Sequence, residues 1–150
     1  MTDNRKQWST DQQKRLLIEK QILGKFFPNF QWINPSNSEN TKVEGNLKAN
    51  TQMFYKIRIY VPHDFPNSKP DLVAMTPITG YMGRDLKEVS REMHTLSPRD
   101  GFINICYIRS SDWVPSKTLY SIVIKGRLWL EALEFHKQTG EPIDQLLRHS

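Results

Sequence analysis

Ten residues constrain this chain more than any others: MFYKIRIYVP, positions 53–62. Met53, Tyr55, Ile57, Ile59 and Val61 alternate with Phe54, Lys56, Arg58 and Tyr60, so one face is apolar and the other mixed. A period of two marks a strand, and the mixed second face indicates an antiparallel sheet covered on one side. The next stretch of chain is equally restrictive. Pro62, Pro66 and Pro70 are spaced evenly around Phe65. Proline fixes φ and removes a backbone donor, which rules out helix here. The segment is expected to be a stiff, extended connection packed by Phe65, leading into a shorter strand in DLVAM, 71–75.

The flanking segments complete an α+β order. STDQQKRLLIEKQILGKFF, 9–27, reads as a helix, with Ser9 or Thr10 as its cap and Gln12 or Gln13 at the matching third position. Leu16, Leu17, Ile22 and Leu23 form its partial apolar stripe, and Gly24 and Pro28 are expected to end it. NFQWI, 29–33, is a short strand, and TKVEGNLKA, 41–49, a second, with Gly45 a candidate bulge. Residues 77–93, PITGYMGRDLKEVSREM, begin with glycines and continue as a charged stretch with room for two helical turns. FINICYI, 102–108, is apolar and β-rich but too short for a core helix. From Lys117 the pattern turns helical, with Leu119, Ile122, Val123, Trp129, Leu130, Leu133 and Phe135 on buried faces. Thr139, Gly140 and Pro142 are a stop signal, and IDQLLRH, 143–149, is a final helix. A helix, then consecutive strands, then helices excludes an alternating βαβ arrangement. The expected architecture is a four-stranded antiparallel meander, with the N-terminal helix and the 117–138 helix on one face.

A length of 150 residues fits a single domain, 1–150, with a core that needs no staples. The 21 Lys and Arg against 16 Asp and Glu give a formal charge of +5, but the cations are scattered and no run exceeds two. Nucleic acid is therefore not the expected partner. Lys56, Arg58 and Tyr60, on one strand face, would be its site. No apolar run approaches the roughly 18 residues of a membrane helix, so no membrane partner is expected. MTDNRKQWSTDQQKR lacks the apolar stretch of a signal peptide. One cysteine cannot form an internal disulfide, and a reducing, cytoplasmic setting is expected. The chain has no internal repeat, metal-ligand pair spacing or phosphate-cradling glycine loop, so neither metal nor cofactor is called for.

That cysteine is Cys106, and a free cysteine by itself reads as a small buried apolar residue. Its surroundings change the reading. The order is an N-terminal helix, strands, the Pro62–Phe65–Pro66–Pro70 loop, His94, Gly101, Cys106, Trp113-Val114-Pro115 and a helix. Over about residues 10–138 this resembles the ubiquitin-conjugating enzyme family. There a proline loop of similar spacing, an H-P-N tripeptide seven residues before a glycine, the thioester cysteine and a W-x-P come in the same order. Three departures stand out. The tripeptide is His94-Thr95-Leu96, so leucine replaces the asparagine that helps hold the oxyanion. The spacing from Gly101 to Cys106 is stretched, and that from Cys106 to Trp113 is shortened by one residue. Residues 77–93 exceed the family pattern; long insertions tend to be functional or mobile, so they are expected to form a lid or partner-contacting element near the thiol, with a neutral surface insertion the alternative. The C-terminal half is similar to a bacterial branch found in anti-phage defence operons (CBASS), beside cyclic-oligonucleotide synthases or ubiquitin-like proteins.

The resemblance implies a transferase. Cys106 would take the C-terminal glycine of a partner protein as a thioester and pass it to an amine. The carried protein would be a cGAS-like nucleotidyltransferase or a bacterial ubiquitin-like protein, loaded with the help of an activating enzyme. An inactive binding module of the same fold is the alternative. A thiolate suits the work because it attacks an activated carboxyl and then leaves readily. His94 is the candidate helper, either as proton carrier beside the thiol or as a brace of the loop backbone. Asn104, two residues before Cys106, is expected to share its strand face and could replace the lost donor. Asp112 could orient an incoming lysine. Trp113 and Pro115 are expected to pack the loop under the thiol, and Tyr107 to pack on the sheet. His63, His136 and His149 read as surface residues.

Overall fold

The computed structural model describes residues 6–147. The element order is α1 (Thr10–Phe26), β1 (Gln31–Ile33), β2 (Lys42–Lys48), β3 (Phe54–Tyr60), β4 (Asp71–Ala74), β5 (Thr95–Arg99), β6 (Phe102–Ile105), α2 (Leu119–Thr139) and α3 (Ile143–Leu146). The architecture is α+β. The sheet has six strands rather than four, in the order β1-β2-β3-β4-β6-β5, and every neighbouring pair is antiparallel. One register row, Trp32–Val43–Ile59–Leu72–Ile105–Thr95, crosses the whole sheet on its inner face. The next row, Gln31–Glu44–Arg58–Val73–Asn104–Leu96, lies on the outer face.

The alternation at 53–62 sets this division. Tyr55, Ile57 and Ile59 are buried, while Phe54 and Lys56 are exposed. Met53 precedes the strand and is half exposed, so the apolar face begins at Tyr55. Each large side chain fully buried on the inner face contributes roughly 1.5–3 kcal/mol. Gly45 makes no bulge. It pairs in regular register with Ile57, and a Cβ there would come within 2.4 Å of the Phe30 ring. The glycine exists to admit that ring.

Helix α1 starts in a capping box. Ser9 Oγ accepts from Gln12 N–H at 3.1 Å, and Gln12 Oε1 accepts from Ser9 N–H at 3.0 Å. The helix runs through Gly24 to Phe26 and stops just before Pro28. Its buried stripe is Leu16, Glu19 and Leu23, whereas Leu17 is exposed. Glu19 takes a core place that apolar spacing assigns to leucine, because it has partners there. It accepts from Arg15 Nε at 2.9 Å and from Leu119 N–H, at the start of α2, at 2.7 Å. Arg15 also donates to the carbonyls of Pro115 and Lys117, so one ion pair, buried on the Glu19 side, ties α1 to α2 and to the loop before it.

Helix α2 lies on the inner face. At Gly126 a Cβ would come within 2.9 Å of Leu72 Cδ2, so the glycine permits close approach to β4. Thr118 caps its start and Gly140, at φ +78°, its end. Its buried residues include Ile122, Trp129, Leu130, Leu133 and His136. Phe135 points outward and is half exposed. His136 is a correction to the sequence reading. It is buried, its Nε2 accepts from Tyr81 N–H at 3.1 Å, and its Nδ1 donates to the Glu141 carbonyl at 2.7 Å. His63 is exposed, and His149 lies outside the described residues.

Residues 77–93 form no α-helix, only a short 3-10 turn at Tyr81–Gly83. Asp85 Oδ1 accepts from Lys87 N–H at 2.9 Å, a local turn bond that competes with helix. The segment is stitched to the body through Tyr81 on His136, buried Leu86, and the Glu88 carbonyl, which accepts from Thr95 Oγ1. The final helix is the single turn α3, and among the described residues no helix is long and apolar enough to cross a membrane.

Candidate functional site

Strands β5 and β6 form a hairpin whose turn contains Asp100 (φ +52°) and Gly101 (φ +78°). Two successive positive φ values suit the twist of paired strands. The last ladder pair is Thr95 with Ile105. One residue further, Cys106 N–H donates to the His94 carbonyl at 2.9 Å. The chain then leaves the sheet. Cys106 therefore stands where the ladder ends, half-buried, with its S–H directed to the Ile108 carbonyl at 3.5 Å.

Three anchors hold the proline loop beside this point. Gln12 Nε2 donates to the carbonyls of His63 and Phe65, Trp113 Nε1 to that of Pro66 at 2.9 Å, and Tyr107 Oη to that of Pro70 at 2.5 Å. Phe65 is fully buried, as its place among the prolines requires. Trp113 thus joins the chain after Cys106 to the proline loop. Pro115 is exposed and contributes its carbonyl to Arg15 instead of packing beneath the thiol. Tyr107 lies past the strand end, and burial, with Asp71 and Cys106 nearby, pushes its hydroxyl well above the usual range.

His94 has φ +53°, a left-handed conformation that turns the chain into β5. Its ring Nε2 lies 2.7 Å from Asp144 Oδ1. Asp144 sits on α3, and its own N–H donates to the Glu92 carbonyl at 2.8 Å. Cys106, His94 and Asp144 line one cleft of about 760 Å³, floored in part by Trp129 and Leu128 of α2. Trp129 Nε1 donates to the Met93 carbonyl at 3.0 Å, which fixes the residue before His94. Four cations, Arg91, Arg109, Lys117 and Lys125, line the cleft against two carboxylates, Asp112 and Asp144. Such a balance favours an anionic ligand or an oxyanion in the cleft.

The structure brings Cys106, His94 and Asp112 together and leaves Asn104 out. Strand alternation holds only to Ile105, so Asn104 and Cys106 do not share a face. Asn104 is buried on the outer face and donates through Nδ2 to the Ser97 carbonyl at 3.1 Å. Of residues 77–93, only Arg91 lines the cleft. Asp144 escapes a reading of the sequence, because an acid early in a terminal helix reads as an end-of-helix charge.

Lys56, Arg58 and Tyr60 do share the outer face, but they are engaged there. Arg58 pairs with Glu44 at 2.8 Å, Lys56 reaches the same carboxylate at 3.4 Å, and Tyr60 Oη donates to Asp100 at 2.6 Å. Burial alone would raise the Glu44 carboxyl, and Arg58 and Lys56 more than offset this and hold it below the usual carboxylate value. Burial and the bond to Asp100 push the Tyr60 hydroxyl upward. Among the described residues, no group of three or more His, Cys, Asp or Glu side chains is placed to hold a metal ion. No protein-family model matches the chain, and no curated protein matches it.

Proposed function

We propose that the protein is a cysteine-dependent acyl carrier of the ubiquitin-conjugating-enzyme kind, working in the cytoplasm. The observation that carries this reading is the position of Cys106. It is half-buried rather than sealed in the core, at a strand end, in a cleft shared with the His94–Asp144 pair. A structural thiol needs neither access nor a proton acceptor nearby. The neighbouring order of β1 to β4 and the helix on the inner face support the family-like fold.

In this mechanism, His94 takes the thiol proton and the sulfur attacks the carbonyl carbon of a partner's activated C-terminal glycine. A C–S bond forms and the carbonyl electron pair moves to oxygen. The cations of the cleft stabilise that oxyanion, in place of the asparagine that Leu96 displaces. The pair returns, the leaving group departs with the proton, and a thioester remains. An amine then attacks the same carbon. The C–N bond forms, the C–S bond breaks, and His94 removes the proton that the new amide sheds. The carried protein is, on the resemblance, a nucleotidyltransferase of anti-phage defence, with a bacterial ubiquitin-like protein the second choice.

A second reading, an inactive binding module, is favoured by one observation. Neither Leu96 nor Asn104 offers a donor to the cleft. A defined probe separates the two. A short peptide thioester ending in glycine, incubated with the full chain, is expected to leave its acyl group on Cys106, and added lysine to remove it. Cys106→Ala abolishes the adduct, and His94→Gln slows both steps by roughly 10²–10⁴-fold. If the wild-type adduct forms no faster than on free glutathione and is not passed to lysine, the binding module is the better account.

A further inference from the structure

The cleft contains a carboxylate outside the segment that resembles conjugating enzymes. Asp144 belongs to α3, fifty residues after His94, yet its Oδ1 lies 2.7 Å from the His94 Nε2. The contact is anchored on the carboxylate side. The Asp144 N–H is bonded to the Glu92 carbonyl, and buried Ile143 seats the turn in the core. Asp144 is thus tied through both its backbone and its side chain to the segment around His94.

We propose that Asp144 is the positioning residue of a Cys106–His94–Asp144 relay. This rests on Cys106 being the nucleophile. A carboxylate 2.7 Å from Nε2 requires the ring proton to sit on Nε2, because two acceptors cannot share the bond otherwise. Nδ1 is then the bare acceptor, and the relay assigns the thiol proton to it once the S–H turns from the Ile108 carbonyl into the cleft that both residues line. On transfer, the S–H bond breaks, an N–H bond forms at Nδ1, and the imidazolium is held against the Asp144 carboxylate. The logic is that of any nucleophile–base–orienter set. Without Asp144 the neutral ring is free to carry its proton on Nδ1, where it cannot act as base.

The charged and titratable groups around the pair are Arg91 before β5, Tyr107, Arg109 and Asp112 after β6, and Lys117 and Lys125 on the α2 side. Burial, with Asp71 and Cys106 nearby, pushes the Tyr107 hydroxyl upward.

The test uses the full chain and iodoacetamide, which needs no knowledge of the partner. Alkylation of Cys106 is measured against pH for wild type, Asp144→Asn, Asp144→Glu, His94→Gln and the Asp144→Asn/His94→Gln double variant. Asp144→Asn is expected to slow alkylation near pH 6.5 about tenfold or more and move the profile to higher pH. Asp144→Glu restores part of the rate, and in the His94→Gln background Asp144→Asn changes nothing further. Nitrogen NMR of the wild-type His94 ring gives an independent readout, with the neutral form expected to be protonated on Nε2. An Asp144→Asn profile that overlays wild type, an equal loss with and without His94, or a neutral ring protonated on Nδ1 each overturns the proposal. The peptide-thioester assay stands apart. Acyl transfer with an unperturbed Asp144→Asn profile sinks the relay alone, and a perturbed profile without acyl transfer sinks the acyl-carrier reading alone.

Discussion

Replacing Glu19 with alanine should be among the most damaging single changes in the molecule. The side chain is 1% exposed and holds two partners at once, Arg15 Nε at 2.9 Å and Leu119 N–H at 2.7 Å. Removing one member of a fully buried pair costs about 3–5 kcal/mol, and here only the Glu19 side is buried. Arg15 retains some access to solvent and its bonds to two carbonyls, which argues for the lower end. The Leu119 N–H, stranded at the start of α2, adds about 1 kcal/mol or more. At roughly 2–4 °C per kcal/mol for a chain of this size, a total of about 4 kcal/mol should lower the melting temperature by about 8–16 °C. Glu19→Gln keeps an acceptor for Leu119 and should cost about half as much. Because Arg15 reaches Pro115 and Lys117, and Lys117 lines the cleft, Glu19→Ala should also slow Cys106 alkylation. Circular dichroism melts of Glu19→Ala, Arg15→Ala and the double variant give the coupling energy. A loss below about 1 kcal/mol for Glu19→Ala would refute the idea that this pair joins the two helices.

Packing and charge set three further outcomes. Gly45→Ala drives a methyl into the Phe30 ring and should cost about 1–3 kcal/mol by urea unfolding, an unchanged midpoint being the contrary result. His136→Ala removes the acceptor for Tyr81 N–H, so limited proteolysis should cut faster within 77–93, and an unchanged cleavage pattern would show that the segment is held elsewhere. Glu44 is held below the usual carboxylate value, so its stabilisation is full above the unfolded-state value of about 4.3 and fades as pH falls through the lower folded value. The stability gap between wild type and Glu44→Gln should therefore be open at pH 7 and close in acid. A gap that does not change with pH would contradict this.

The parts of the fold that show in the sequence are those where one periodicity dominates. Strand β3 alternates cleanly, and the Ser9–Gln12 cap and the Gly140 stop are local chemistry. Where polar residues take core positions the pattern misleads. Apolar spacing puts Leu17 on the buried stripe and leaves Glu19 off it, because an ion pair with a residue one turn away does not register in such spacing. His136 is hidden in the same way by backbone partners. Strand β5, TLSPR, has little alternation and a proline that suits its place at the sheet edge, so the sequence predicts a sheet two strands smaller. The sharing of one cleft by Cys106 and His94 is legible from their order along the chain. Asp144 is not, because its bond to His94 joins residues fifty positions apart and depends on α3 folding back over the cleft. Asn104 is misplaced by assuming that strand alternation continues to a residue where the ladder has ended.

The central claim is that Cys106 carries another protein's C-terminal glycine. Its most direct test is to express tagged wild-type, Cys106→Ser and Cys106→Ala chains in the native host, with the neighbouring genes, and to measure the intact and peptide masses of what is recovered. The account predicts a wild-type adduct that thiol reductant releases, and a reductant-resistant but alkali-labile adduct on Cys106→Ser. It predicts none on Cys106→Ala, and a branched peptide in which a terminal glycine is joined at position 106. Recovery of all three chains free of any such adduct, with partners bound equally by each, would contradict it.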